Sequence, residues 1–186
     1  MIEWIQSQKN KCKHRPYIVV IDGMCASGKT TLGKHLERIF NAALISMDDF
    51  FLPFELKSSK RLKQPGGNIH YERFYEEVIK QLPHPFTYRV FNCKTQAYDS
   101  YKTVSNLEMI IIEGSYAMHP YFGSYYDDAI FLKITPENQK KRIEIRNPDL
   151  KEDFFQKWIP LENYYFQFFK IEQKATKVLE AFEATF

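Results

Sequence analysis

A three-layer α/β fold built on a mainly parallel sheet is what the sequence predicts, and three observations predict it. Short apolar, β-branched runs alternate with stretches of helical periodicity. The first run, Tyr17-Ile18-Val19-Val20-Ile21, is apolar almost throughout, as a strand covered on both faces must be. That run leads through Asp22-Gly23 straight into a small-residue loop and then a helix, the order in which a parallel sheet delivers a ligand site at a strand end.

The elements follow in order. Leu32, Leu36, Ile39 and Phe40 repeat at i, i+4, i+7 and i+8, which places one apolar stripe on a helix. Residues 42–46 read as a second strand. Further strands are predicted at 86–91, 109–112 and 129–134, with helices filling the intervals. Thr135-Pro136-Glu137 begins a helix: Thr caps, Pro suits the first turn, and Glu meets the positive end of the dipole. Asn147-Pro148 stops it. Residues 151–170 are helical again, with Pro160 kinking or splitting the helix near Ile159. In that stretch Phe154, Trp158, Leu161, Tyr165, Phe168 and Phe169 form an aromatic stripe that reads as core or as a subunit contact, so a homo-oligomer stays open. Lys170, Lys174 and Lys177 read as a solvated face.

The length of 186 residues suits a single domain, 1–186, and nothing in it resembles a linker or a repeat. Lys plus Arg is 26 against 23 for Asp plus Glu, a net charge of +3 with no basic stripe, which argues against nucleic acid as a partner. The three cysteines, Cys12, Cys25 and Cys93, show neither C-x-x-C spacing nor a histidine cluster, which argues against a disulfide framework or a structural zinc. No long apolar window and no signal-like leader occurs, so the expectation is a cytoplasmic protein without a membrane segment.

The chemistry is concentrated at the strand ends. Gly23-Met24-Cys25-Ala26-Ser27-Gly28-Lys29-Thr30 matches G-x-x-x-x-G-K-[ST] between a strand and a helix, and Thr31 follows. Such a loop curves its backbone N–H groups around phosphate, and the helix adds its positive end. Gly23, Ala26, Ser27, Gly28, Lys29, Thr30 and Thr31 are therefore the expected nucleotide-binding residues, with Lys29 reaching the β- and γ-phosphates and Thr30 coordinating Mg²⁺. The fold is accordingly that of a P-loop NTPase, and ATP and Mg²⁺ are the expected cofactors. Cys25 reads as a loop residue whose oxidation would block the nucleotide. The second strand ends at Asp48-Asp49-Phe50-Phe51, where a carboxylate could take a hydroxyl proton or simply cap a turn. Glu113, after the 109–112 run, is placed to hold the metal or to be solvated. Arg142 and Arg146 share a helix face and could clamp a transferring phosphoryl group.

Taken together, IDG with SGKTTLG, ISMDDFF, NIHYERFYEEV, IIIEGSYAMHP and KKRIEIRN resemble the uridine kinase family of P-loop nucleoside kinases, from about Tyr17 to about Lys174. The resemblance implies a five-stranded parallel core, flanking helices and a lid, here short and near 142–157. It implies ATP-dependent phosphorylation of a nucleoside 5′-hydroxyl, of the uridine or cytidine type. It gives Asp48 the acceptor hydroxyl and a share of the magnesium, Lys29 and Thr30 the phosphate and metal, Glu113 the acidic strand end facing metal and acceptor, and Arg142 and Arg146 the lid. The family carries a ribose-gripping aspartate where this chain has His70, and base-reading Tyr and His where it offers Phe91 and Gln96. His70 would bond a sugar hydroxyl or be satisfied by loop backbone, and Phe91 and Tyr98 would stack on a base or pack in the core. Gly66-Gly67 reads as a flexible loop that admits the acceptor. Nicotinamide riboside, pantothenate or a sugar phosphate as acceptor, and a non-catalytic ATP-binding module, are the alternatives.

Overall fold

The computed structural model describes residues 1–181, so the last residues of the expected 1–186 domain lie outside the described residues. Seven strands occur among them: β1 Tyr17–Gly23, β2 Ala43–Ser46, β3 Phe86–Asn92, β4 Ala97–Val104, β5 Met109–Glu113, β6 Asp128–Lys133 and β7 Lys177–Glu180. The α-helices are α1 Ile2–Lys11, α2 Lys29–Phe40, α3 Ser59–Leu62, α4 Tyr71–Glu77, α5 Pro136–Arg146, α6 Lys151–Asp153, α7 Ile159–Phe169 and α8 Ile171–Lys174.

Five strands form one parallel sheet in the order β2-β5-β1-β6-β7. Its two faces divide the apolar residues with period 2. Ile18, Val20, Ile110 and Ile112 lie in one core with Phe50, Phe74 and Tyr165, while Val19, Ile21, Ile111 and Ile130 pack with Ile5 and Leu36 in the other. Every residue of β1 and of β5 is buried, as continuous apolar runs require of central strands. Their ends, Gly23 and Glu113, therefore leave the sheet side by side, with Ile21 paired to Glu113 in register.

Two expectations are corrected. The run 86–91 is not part of the parallel sheet: β3 pairs antiparallel with β4 in a separate hairpin. Its alternation was the warning, because Phe86 and Tyr88 are buried while Thr87 and Arg89 are exposed, as in a strand with one wet face. β4 went unread, and an interval expected to be helical is a strand, because seven of its eight residues are exposed and only Val104 is buried. The fifth parallel strand is instead β7, which begins at Lys177. This lysine is not simply solvated: its Nζ lies 4.9 Å from the Trp4 ring centroid of α1.

The helical reading of 151–170 is interrupted by a π-turn at Phe154–Trp158, and α7 restarts at Ile159 with Pro160 in its first turn, where no N–H is missed. Of the aromatic stripe, Tyr165 is fully buried and Phe168 is 59% exposed. Gly66-Gly67 is a packed turn rather than an open hinge. A Cβ on Gly66, at φ +74°, would stand 2.6 Å from His119 Cδ2, and one on Gly67 would stand 1.9 Å from the Arg61 carbonyl oxygen. Smallness, not mobility, is what those positions require.

Candidate active site

The loop leaving β1 owes its shape to two positions. At Gly23, φ is +133° and a Cβ would stand 2.2 Å from the Leu132 carbonyl oxygen on β6; at Gly28, φ is +99° where α2 begins. Between them Ala26 also has positive φ, so the chain curls on its way into α2, the kind of turn in which successive amides can line an anion site. The buried Lys29 ammonium donates to the carbonyls of Gly23 (2.7 Å) and Met24 (2.9 Å) at the mouth of that curl. Ser27 has a buried hydroxyl without a protein partner. Thr30 and Thr31 are exposed on the first turn.

Glu113 joins the loop to the second strand. Its Oε2 accepts from Thr30 Oγ1 at 3.1 Å and its Oε1 from Ser46 Oγ at 2.7 Å. Gly33 leaves room for this approach, since a Cβ there would crowd Glu113 Cγ at 3.2 Å. Burial raises the Glu113 carboxyl above the usual range, and the Ser46 hydroxyl opposes that shift. Hydroxyl and carboxylate oxygens converging at 3.1 Å are hard donors of the kind Mg²⁺ takes, so the residues present fit this ion.

Asp48 and Asp49 divide the work of the second strand end. Asp49 is buried and fully engaged: its Oδ2 accepts from Tyr88 Oη at 3.0 Å and from Lys102 Nζ at 2.7 Å, and its carbonyl oxygen accepts from Arg73. Asp48, one residue earlier in the turn Met47–Phe50, carries an exposed side chain ringed by protein. That enclosure raises its carboxyl above the ordinary range; Lys29 opposes the shift and the neighbouring Asp49 adds to it.

Two carboxylates that motif reading missed hold the loop from behind. Asp22, wholly buried, accepts from the backbone N–H of Gly23 (2.7 Å), Tyr116 (3.1 Å) and Met118 (2.9 Å) and from Tyr165 Oη (2.9 Å). Glu162, on α7, accepts from the Cys25 N–H at 2.9 Å and Ser115 Oγ at 2.7 Å. Burial raises both carboxyls, and the nearby Lys29 charge opposes it. An acidic residue directly before a P-loop was the available signal for Asp22; nothing local marked Glu162, 137 residues from its partner. Replacing Asp22 by Ala orphans three amides and one hydroxyl, and because each buried unmet donor costs about 1–3 kcal/mol, the variant is expected to lose about 4 kcal/mol or more of unfolding free energy. Urea unfolding beside wild type measures this, and a midpoint within error of wild type would refute the clamp.

Cys25, by contrast, is buried, and burial pushes its thiol up to about 12, with Glu162 adding to the shift. The ready oxidation expected of a loop cysteine does not suit it. On α5, Arg142 donates to the Ala26 carbonyl at 3.1 Å and so already rests against the loop, while Gln139 donates to the Cys25 carbonyl at 3.0 Å. Arg146 is exposed and bonds Asn147 Oδ1 at 2.9 Å.

The expected acceptor residues come from separate segments, and the His70 N–H donates to the Phe50 carbonyl at 2.8 Å, which ties His70 to the turn that carries Asp48. His70 caps α4, its Nδ1 accepting from the Arg73 N–H at 3.3 Å, and it lines a cavity of about 340 Å³ with Leu52, Ser58, Lys60, Arg61 and Glu72. Burial lowers its pKa. Phe91 is buried with its ring centroid 5.4 Å from that of Tyr98, which is a packing contact. Gln96, at the hairpin tip, accepts from the Phe54 N–H at 3.1 Å and donates to the Cys93 carbonyl at 2.7 Å, so its amide bridges the hairpin to the chain beyond Asp48.

No protein-family model matches the chain, and no curated protein matches its sequence. Among solved structures the fold is similar to a possible uridine kinase from Bacillus stearothermophilus, with a TM-score of 0.70 and 21% identity over 96% of each chain. It is similar too to a candidate fructose transport system kinase from Silicibacter sp. TM1040, with a TM-score of 0.68 and 18% identity over 96% of each chain. A D-glycerate 3-kinase from Cryptococcus neoformans superposes with a TM-score of 0.65 and 13% identity over 97% of this chain and 94% of the other. The chain therefore has the α/β P-loop fold found in these small-molecule kinases. Among the described residues no helix is long and apolar enough to cross a membrane.

Proposed function

We propose that this chain is an ATP-dependent kinase that transfers the γ-phosphoryl group to a hydroxyl of a small acceptor, foremost a nucleoside 5′-hydroxyl of the uridine or cytidine type. The observation that carries the reading is the meeting of a complete phosphate loop with Thr30 and Glu113 at 3.1 Å, and of an uncommitted carboxylate, Asp48, on the adjoining strand end.

The loop amides and Lys29 bind the triphosphate, Lys29 exchanging the Gly23 and Met24 carbonyls for phosphate oxygens. Thr30 and Glu113, with Asp48 nearby, would hold Mg²⁺. Charge on the β and γ oxygens is offset by that ion when it is bound. Asp48 orients the acceptor hydroxyl for in-line attack on the γ-phosphorus and takes its proton as the bond to the β–γ bridging oxygen breaks and ADP departs. Arg142 and Arg146 lie on one face of α5 where closure of the segment 142–157 would bring them to the transferring group and exclude water.

A non-nucleoside hydroxyl acceptor is the second reading. His70 stands where the resembled family has its ribose-gripping aspartate, and its cavity contains the side chains of Lys60 and Arg61. ADP release measured with Mg²⁺ over a panel of nucleosides, nicotinamide riboside, pantothenate, sugars, sugar phosphates and hydroxy acids tests both. The nucleoside reading expects the largest stimulation, about 100-fold or more over hydrolysis, from a pyrimidine nucleoside. Stimulation by a hydroxy acid or sugar phosphate alone would move the assignment to the second reading. Tight ATP binding with no stimulated turnover would leave a non-catalytic binding module.

A further inference from the structure

We propose that Cys12, His14 and Asp127 form a binding site for a zinc-type divalent ion at the amino-terminal edge of the sheet. The site lies at the opposite end of β1 from the nucleotide loop, about 20 Å away along a strand of this length. His14 Nε2 is 3.0 Å from Asp127 Oδ1 and Cys12 Sγ is 3.9 Å from the same oxygen. One donor atom from each residue lies within 4.8 Å of the others. Tetrahedral zinc with bonds of about 2.0–2.3 Å separates its ligands by about 3.3–3.8 Å, so only small side-chain adjustments are needed.

The donor set suits the ion. Thiolate and imidazole favour borderline metals over Mg²⁺, and the thiolate and carboxylate together balance a double positive charge. On binding, the Cys12 thiol releases its proton to solvent and its sulfur forms the metal bond, while His14 binds as neutral imidazole. Because His14 and Asp127 are exposed and Cys12 is partly buried, a fourth position stays open to water.

Cys12 and Asp127 are anchored by the fold itself, and His14 reaches Asp127 from the exposed turn between them. Cys12 ends α1, its N–H donating to the Gln8 carbonyl at 3.0 Å. Asp127 is pinned to β1 twice: its N–H donates to the Ile18 carbonyl at 2.9 Å, and its Oδ2 accepts from the Ile18 N–H at 2.8 Å. Oδ1 is thereby turned toward His14, the outer-sphere orientation metal ligands commonly have. Without an ion the Cys12 thiol donates to the His14 carbonyl at 3.4 Å, a contact that keeps the sulfur beside the His14–Asp127 pair. Bound there, the ion would fasten the end of α1, which otherwise docks through Ile5 and Trp4, to the chain entering β6.

Titrating the full-length, reduced protein with Co²⁺ in the absence of nucleotide, with Zn²⁺ as competitor, tests the site. The expected result is one tetrahedral Co²⁺ with a thiolate charge-transfer band, displaced by Zn²⁺. Cys12→Ser abolishes that band, His14→Ala weakens binding about tenfold or more, and Cys93→Ser changes neither. Zn²⁺ should also raise the melting temperature of wild type and leave that of Cys12→Ser unmoved. A band that survives Cys12→Ser, or a weak octahedral spectrum lacking thiolate character, would overturn the proposal. The second outcome would place the ion on oxygen ligands such as Thr30 and Glu113. None of these readouts depends on kinase turnover.

Discussion

Lys29→Ala is expected to lower turnover about 1000-fold and to weaken ATP binding about 10- to 100-fold, the worth of one charge-assisted contact to phosphate. The reason is geometric. The Lys29 ammonium is buried at the mouth of the loop, already desolvated and held 2.7 and 2.9 Å from two carbonyls, so little reorganisation separates it from the phosphate oxygens. It is also the nearest large positive charge to a dense acidic group, opposing the raised carboxyls of Asp22, Asp48, Glu113 and Glu162. Its removal leaves those acids facing a polyanion unscreened. Calorimetric ATP titration and steady-state ADP release measure the two effects; unaltered affinity would show that the nucleotide does not sit in the loop. Lys29→Arg should recover little, because a planar guanidinium does not fit a point-charge seat among backbone carbonyls.

Asp48→Asn is expected to separate binding from transfer. The amide keeps the size of the side chain but cannot take a proton, and general-base loss costs about 100- to 10,000-fold in kcat, while ATP affinity stays within about twofold. The pH profile sharpens the test. Enclosure by protein raises the Asp48 carboxyl, and Asp49 reinforces that shift. Activity needs the ionised form, so kcat/KM should fall as pH falls through this raised pKa, with its acid limb above the ordinary carboxylate range. In Asp48→Asn that limb should vanish along with most of the rate. If the variant retains near-normal turnover, the acceptor site lies elsewhere. Asp49→Asn loses the charge that Lys102 pairs at 2.7 Å and so should cost stability, and because that charge helps raise Asp48 it should also move the acid limb to lower pH without removing it.

The candidate site is thus legible in parts. The loop from Gly23 to Thr30 is a contiguous run in which residue type dictates local backbone, and it could be read without any tertiary information. The central strands were as plain, since β1 and β5 are buried on both faces and carry almost nothing but apolar residues. Strands with a wet face or at an edge were not. β4 and β7 lack the apolar run that burial imposes, and β3 was assigned to the wrong sheet for want of its partner.

From sequence alone, then, come the phosphate loop, the acidic strand ends and the α/β class, because each is written in neighbouring residues whose sterics and periodicity act over a few positions. Tertiary structure alone decides which acid of the pair 48–49 is spent on Tyr88 and Lys102, that Thr30 meets Glu113 across 83 residues, that Glu162 steadies the loop from α7, and that Asp127 joins Cys12 and His14. Those pairings depend on strand order and register, and a chain's local preferences carry no record of which distant donor its folding will set opposite a given acceptor.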